Sequence, residues 1–166
     1  MTYKRKSWQD KLEDKEVFPK IQKLKKCAPC YNTLHKMGVN EGNKVVLVNP
    51  SEIMKLMKKV PKGKLVTIVE LCKEIAKKHK VRGCCSLTTG IFIMIIANAA
   101  EEASKEHKNL NIPYWRTLKS DGLLNEKYPG GAQGHKRLLE KEGFRIVQKG
   151  KKFYVDDYQK FLYKFK

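Results

Sequence analysis

The chain has 166 residues, 41% apolar and 32% charged, enough for one ordinary domain with a real core and too few for two full domains. Its longest apolar run, residues 91–97, is far too short to span a bilayer, so no membrane association is expected. A formal net charge of +19 attracts polyanions through a salt-sensitive, sequence-independent field, which makes nucleic acid the expected partner.

The bland explanation of that charge is compositional, since 31 of the 36 basic residues are lysine, as AT-rich coding would give. The basic start Met1-Thr2-Tyr3-Lys4-Arg5-Lys6 has no apolar segment behind it of the kind a secretory signal needs. With an odd count of five cysteines, a reduced cytoplasmic setting is expected, nucleoid association included. Cys27, Cys30, Cys84 and Cys85 could supply four thiolates to zinc. Vicinal cysteines place two sulfurs on one tetrahedral ion with difficulty, and the simpler reading is free or small apolar thiols, so no metal or other cofactor is expected.

Residues 1–43 form a Lys-rich extension. Trp8, Leu12, Val17, Phe18, Ile21 and Leu24 are spaced for one or two short amphipathic helices, interrupted at Pro19 and Pro29, and the segment is either a packed extension or a basic arm that orders on a polyanion. Residues 44–48 predict a strand, and Ser51 is the expected N-cap of a helix over 52–59. Thr67 and Glu70 have capping-box spacing, predicting a helix from there to about residue 80 with Ile68, Leu71, Cys72 and Ile75 buried. A second helix of about 20 residues follows, ending near His107.

Two helices behind a basic turn and a strand predict a helix-turn-helix, with the second helix in the major groove. That helix is apolar around nearly its whole circumference, so only its N-terminal end, with Leu87, Thr88, Thr89 and Gly90, is expected to face a ligand. A helix over 135–143 closed by Gly143, a hairpin with a basic tip across 144–155 and a terminal helix over 156–166 complete the expected order. The hairpin reads equally as a wing or as a plain edge. The expected fold is mostly α and winged helix-turn-helix-like, with the core domain over 44–147 and residues 148–166 supplying the second hairpin strand and the terminal helix.

Several fragments over about 51–143 resemble the C-terminal domain of the O6-alkylguanine-DNA alkyltransferases: Val60-Pro61-Lys62-Gly63-Lys64-Leu65-Val66-Thr67 with Glu70, Pro113 with Arg116, Ser120-Asp121-Gly122, Tyr128 with Gly130 and Gly131, and Leu138-Leu139 with Glu142-Gly143. In that family a Pro-Cys-His-Arg tetrapeptide carries the cysteine that accepts an alkyl group from a flipped-out guanine, helped by His and a Glu. Here the tetrapeptide is Pro113-Tyr114-Trp115-Arg116, with Glu142 retained. A phenol with pKa about 10 stays protonated at neutral pH, and indole has no basic nitrogen to deprotonate it. The resemblance therefore implies an inactive, alkyltransferase-like protein that binds alkylated bases without repairing them. Activity would require Cys72, Cys84 or Cys85 to reach the pocket instead.

By the same resemblance Ile68 stands where the family has its nucleotide-flipping Tyr, and Leu87 where it has its intercalating Arg, if Gly90 is the matching glycine. The segment between Gly90 and Tyr114 is longer than the family's, leaving Asn98 and Asn111 as candidates for its hinge Asn. The expected DNA contacts are Lys62, Lys64, Thr67, Ile68, Leu87, Thr88, Thr89 and Gly90. The base pocket or its remnant comprises Tyr114, Trp115, Arg116, Ser120, Tyr128, Gly130 and Gly131. Leu87 could act as an apolar wedge, and the two aromatics could either stack on an extruded base or fill the former pocket. Arg116 is expected to be a structural anchor. Double-stranded DNA and a repair protein are the implied partners of a monomer; the alternative is a non-specific nucleic-acid or protein-interaction module whose pocket is filled.

Overall fold

In the computed structural model, which describes residues 4–13 and 18–166, Ser7 and Asp10 form a capping box that opens α1 (Trp8–Leu12). Val17, expected on an amphipathic face, and residues 1–3 of the basic run lie outside the described residues. Helical spacing of the next apolar residues does not produce a helix. Residues 20–23 form β1 (Lys20–Lys23), all four side chains exposed, and only Leu24 turns inward, joining the start and body of α2 (Tyr31–Lys36) in a small cluster of Leu24, Cys30, Leu34, Val39, Val45 and Cys85.

β1 pairs antiparallel with β2 (Lys44–Leu47), Ile21 opposite Val46, so a boundary at residue 43 runs through a sheet. Backbone pairing of β1, together with the buried Leu24, Leu34 and Val39, places the extension. Asn49 caps the next helix by accepting the Glu52 N–H at 3.1 Å, and with Pro50 in the first turn α3 (Pro50–Lys58) starts two residues before the expected place. Asn49 takes the role expected of Ser51 because its side chain is the one that reaches the free amide.

β3 (Val66–Thr67) leads directly into α4 (Ile68–Lys78), whose Thr67–Glu70 capping box is present as expected. The connection out of α4 is more than a turn. It contains β4 (Gly83–Cys84), which pairs parallel with β2 and completes the order β1-β2-β4, so the expected helix-turn-helix pair carries a sheet strand between its helices. α5 (Ser86–Lys105) then runs through the core, with Ile93, Ile96, Ala97, Ala99 and Ala103 fully buried and α1, α3 and α4 packed on it.

After the 3-10 turn Tyr114–Arg116, β5 (Thr117–Leu118) pairs parallel with β3, and a second 3-10 turn covers Ser120–Gly122. Gly122 has φ +77°, and a Cβ there would overlap the Tyr158 ring. Gly122→Ala is expected to cost roughly 2–4 kcal/mol of stability, read from urea unfolding; a loss within error of zero would show that the turn and ring give way freely.

α6 (Gly131–Lys141) begins four residues before the expected start and ends at Gly143, whose φ of +91° allows the chain to turn back. The hairpin β6 (Ile146–Lys149) and β7 (Lys152–Val155) forms with Lys149 opposite Lys152 and Gly150 at the tip, and it docks on the Ser-Asp-Gly turn through the Leu124 N–H to Phe153 carbonyl bond of 2.9 Å. The expected terminal helix is absent. Residues 158–161 make a 3-10 turn, after which the Tyr163 N–H donates to the Leu65 carbonyl at 2.8 Å and Phe161 packs edge-on to Phe144. Pairing with Leu65 satisfies the backbone and leaves Tyr158, Phe161, Leu162 and Phe165 half-buried. Among the described residues no helix is long and apolar enough to cross a membrane.

Candidate nucleic-acid interface

Glu142, at the end of α6, gathers the tetrapeptide. Arg116 donates through Nε at 3.0 and 3.1 Å to both carboxylate oxygens and through Nη2 at 2.8 Å to Oε1, while its Nη1 donates at 2.7 Å to the Val60 carbonyl. The Trp115 indole N–H donates to the same carboxylate at 2.8 Å, and the Gly63 N–H adds a further bond. Burial pushes the Glu142 carboxyl up, but the hydrogen bonds of Arg116 and Trp115 and the guanidinium charge more than offset it, leaving the group below the usual carboxylate range. A carboxylate so engaged is a structural acceptor rather than a free base, and Arg116 is the anchor that its bidentate geometry leads one to expect.

Tyr114 points into the core. Its ring meets Trp115 at 5.4 Å and Tyr128 at 5.3 Å, both edge-on, and burial followed by the Glu101 charge pushes its phenol up to about 12. Tyr128 is itself buried and donates its hydroxyl to the Thr117 carbonyl at 2.9 Å. Beneath them His135, fully buried, accepts the Asn125 N–H on Nδ1 at 3.0 Å and donates from Nε2 to the Trp115 carbonyl at 2.7 Å. Those partners fix one neutral tautomer, and burial lowers the imidazole to about 4.

The residues expected to share a base pocket do not line one cavity. Tyr114 borders two, of about 720 and 710 Å³; Gly130 lies on the first, and Trp115 and Arg116 on the second. Tyr128 is enclosed, Ser120 is exposed and Gly131 starts α6. No cysteine lines either cavity. Among the described residues no group of three or more His, Cys, Asp or Glu side chains is arranged to hold a metal, and all five cysteines are free.

The expected DNA contacts separate by burial. Lys62 and Lys64 are exposed on the turn that Gly63 makes at φ +81°, and Leu87 is 49% exposed. Thr67 and Thr89 are buried, correcting their assignment as solvent-facing contacts: Thr67 is spent in the capping box and the Thr89 hydroxyl lies 3.3 Å from Cys84 Sγ. Thr88, half-buried, keeps its hydroxyl 3.3 Å from Cys85 Sγ. Ile68, Leu87 and Gly90 do converge, on a cleft of about 190 Å³ that also takes Ile91, Met94, Lys119, Asn125 and Lys127.

Neither a family model nor a curated protein sequence matches the chain. Two solved structures are similar to it. One is S. pombe Atl1 in complex with damaged DNA containing O6-carboxymethylguanine, 20% identical over 69% of this chain and 94% of that one, with a TM-score of 0.48. The other is S. pombe ATL in complex with DNA, 19% identical over 69% and 94%, with a TM-score of 0.49.

Sequence reading missed Met94, Lys119, Asn125 and Lys127. Leu87, Ile91 and Met94 follow a helical i, i+4, i+7 stripe that could have been read as one face. The lysines could not, because they reach that face only through tertiary bonds. Asn98 donates to the Met94 carbonyl at 2.9 Å and to the Lys127 carbonyl at 3.2 Å, tying α5 to the loop before Tyr128. Asn111, the other hinge candidate, is exposed at φ +51° and makes no such tie: its own N–H bonds Asn109. His135 carries no sequence signal that distinguishes it from a surface histidine.

Proposed function

We propose that the protein is a non-catalytic, alkyltransferase-like DNA-binding protein that meets duplex DNA with the start of α5, the Lys62–Lys64 turn and the basic hairpin tip. The observation that carries this reading is the exposed apolar pair Leu87 and Ile91, 49% and 46% exposed, set in a small cleft between Lys119 and Lys127 on a chain of net charge +19. Apolar side chains framed by lysines suit insertion between base steps while the cations hold phosphates. Absence of alkyl transfer is supported by Tyr114, a buried phenol pushed up to about 12, beside a carboxylate already occupied by Arg116 and Trp115.

Recognition of alkylated bases for repair belongs to the same proposal, with the cleft beside Leu87 receiving an altered base. A second reading, non-specific binding, is favoured by the packing of Tyr114 edge-on against Trp115 and Tyr128, which fills the tetrapeptide's second position with a buried ring.

Titration of matched duplexes with and without O6-methylguanine at several salt concentrations separates the two. Tighter binding to the modified duplex supports lesion recognition; equal, steeply salt-dependent binding supports the non-specific reading; no binding near physiological salt sinks both. Lys127→Ala is expected to reduce the magnitude of the log–log salt slope by about 1, and Leu87→Ala to weaken binding with the slope retained. Transfer of an alkyl group to any cysteine, seen as added mass, would overturn the non-catalytic assignment.

A further inference from the structure

Cys30, Cys72, Cys84 and Cys85 are buried, and they pack as two pairs, Cys30 with Cys85 in one apolar cluster and Cys72 with Cys84 in another. Cys27 is exposed, three residues before Cys30 in Cys27-Ala28-Pro29-Cys30. Cys30 immediately precedes α2, and Cys85 immediately precedes α5. The Cys30–Cys85 contact therefore joins the N-terminal segment to the first turn of the long central helix, inside the cluster of Leu24, Leu34, Val39 and Val45.

We propose that Cys27, Cys30 and Cys85 form a thiol–disulfide relay that takes oxidation from a low-molecular-weight disulfide at the surface and stores it as a buried Cys30–Cys85 disulfide. The Cys27 thiolate attacks one sulfur of the small disulfide, forming a mixed disulfide and releasing one small thiolate. Cys30 then attacks the Cys27 sulfur and expels the second small thiolate, and Cys85 attacks the Cys30 sulfur and returns Cys27 to its reduced form. Each step exchanges one S–S bond for another. In total two protein thiols are oxidised, the small disulfide is reduced to two thiols, and the two thiol protons leave with them.

The position of Cys27 selects this pair. Cys72 and Cys84 are each 1% exposed, and the Cys84 sulfur is also held by Thr89 in a strand paired to β2. Burial, then Cys85, pushes the Cys30 thiol up to about 11, so its attack on the mixed disulfide quickens as pH rises. Closure would fix the residue before Ser86 and Leu87, at the end of α5 that faces outward, and remove the thiol now 3.3 Å from the Thr88 hydroxyl.

The test is incubation of the full-length protein with oxidised glutathione, trapping of free thiols and peptide mapping without reduction. The expected product is an intramolecular Cys30–Cys85 cross-link, formed roughly ten-fold more slowly in Cys27→Ser. A Cys72–Cys84 link, a persistent Cys27–Cys30 disulfide, a Cys27-linked dimer or no cross-link would overturn the proposal. So would a Cys30–Cys85 link formed at the same rate in Cys27→Ser, since Cys27 would then take no part. Because Cys27 is exposed, this variant tests the relay without disturbing the core.

Discussion

Arg116→Ala is expected to destabilise the fold by about 3–5 kcal/mol, read as a fall in the urea midpoint. The loss exceeds that of an ordinary ion pair because the Arg116 and Glu142 side chains are only 15% and 8% exposed. Removing the guanidinium strands the carboxylate with the Trp115 indole and the Gly63 N–H, and takes the side-chain donor that Arg116 supplies to the Val60 carbonyl. Burial, already the largest influence on Glu142, then acts without the charge that offsets it, so its carboxyl should move upward.

Two further variants separate a stranded charge from a mere loss of packing. Arg116→Lys keeps a charge without the planar fork and should recover only part of the stability. Adding Glu142→Gln to Arg116→Ala removes the unpaired charge, so the double variant should be more stable than Arg116→Ala alone. If the double variant falls by the sum of its single changes, the pair is not coupled and no stranded charge accounts for the loss. In the unsubstituted protein Glu142 lies below its ordinary range. Its contribution is therefore present above the unfolded carboxyl pKa, about 4.3, and is lost as pH falls through the lower folded value.

What the sequence made legible is what local chemistry dictates. Thr67 and Glu70 cap α4 because their side chains complete each other's backbone bonds, and Gly143 ends α6 because its backbone enters the left-handed region. The hairpin follows from an equally local signal, alternation about a glycine, whereas the Arg116 anchor is expected from the fork shape of its side chain alone and reaches Glu142, 26 residues away, only through the fold. β1 was illegible for the opposite reason: all four of its side chains are exposed, so no apolar alternation marks it, and only the β2 backbone makes it a strand. Tyr158, Phe161, Leu162 and Phe165 have helical spacing, yet pairing with Leu65 overrides it.

The candidate interface divides along the same line. Ile68 and Leu87 follow from the resemblance, and Gly90 from the start of the second helix; all three line the small cleft. Thr67 and Thr89 lie at the same helix starts but are buried, Thr67 as the N-cap engaged with Glu70 and Thr89 against the Cys84 sulfur. Lys119 and Lys127 come to Leu87 through the Asn98 bond to the Lys127 carbonyl and the pairing of β3 with β5, contacts between segments far apart in the chain. No spacing rule in one sequence contains them.

Acid should weaken the protein well above the pH at which carboxylates titrate, and His135 sets where. Its Nδ1 accepts from the Asn125 N–H and its Nε2–H donates to the Trp115 carbonyl, so adding a proton would place two donors face to face at Nδ1 inside the core. Burial holds the imidazole down, at about 4, against an ordinary value of 6.5. The unfolded chain therefore binds the proton first. Stability from this group is complete above pH 6.5 and falls as pH drops from 6.5 toward 4, by about 1.4 kcal/mol per pH unit and about 3 kcal/mol in all. His135→Gln removes the titration: it should lose stability at neutral pH, from the cavity and the altered bonds, but show a flatter profile between pH 6.5 and 4. The difference between the two urea-midpoint profiles isolates His135 from the other three histidines, which both proteins share. Parallel profiles across that window would mean that the buried imidazole takes up its proton without cost, and the donor–acceptor arrangement around it would have to be abandoned as the reason the Trp115 turn and the Asn125 loop stay together.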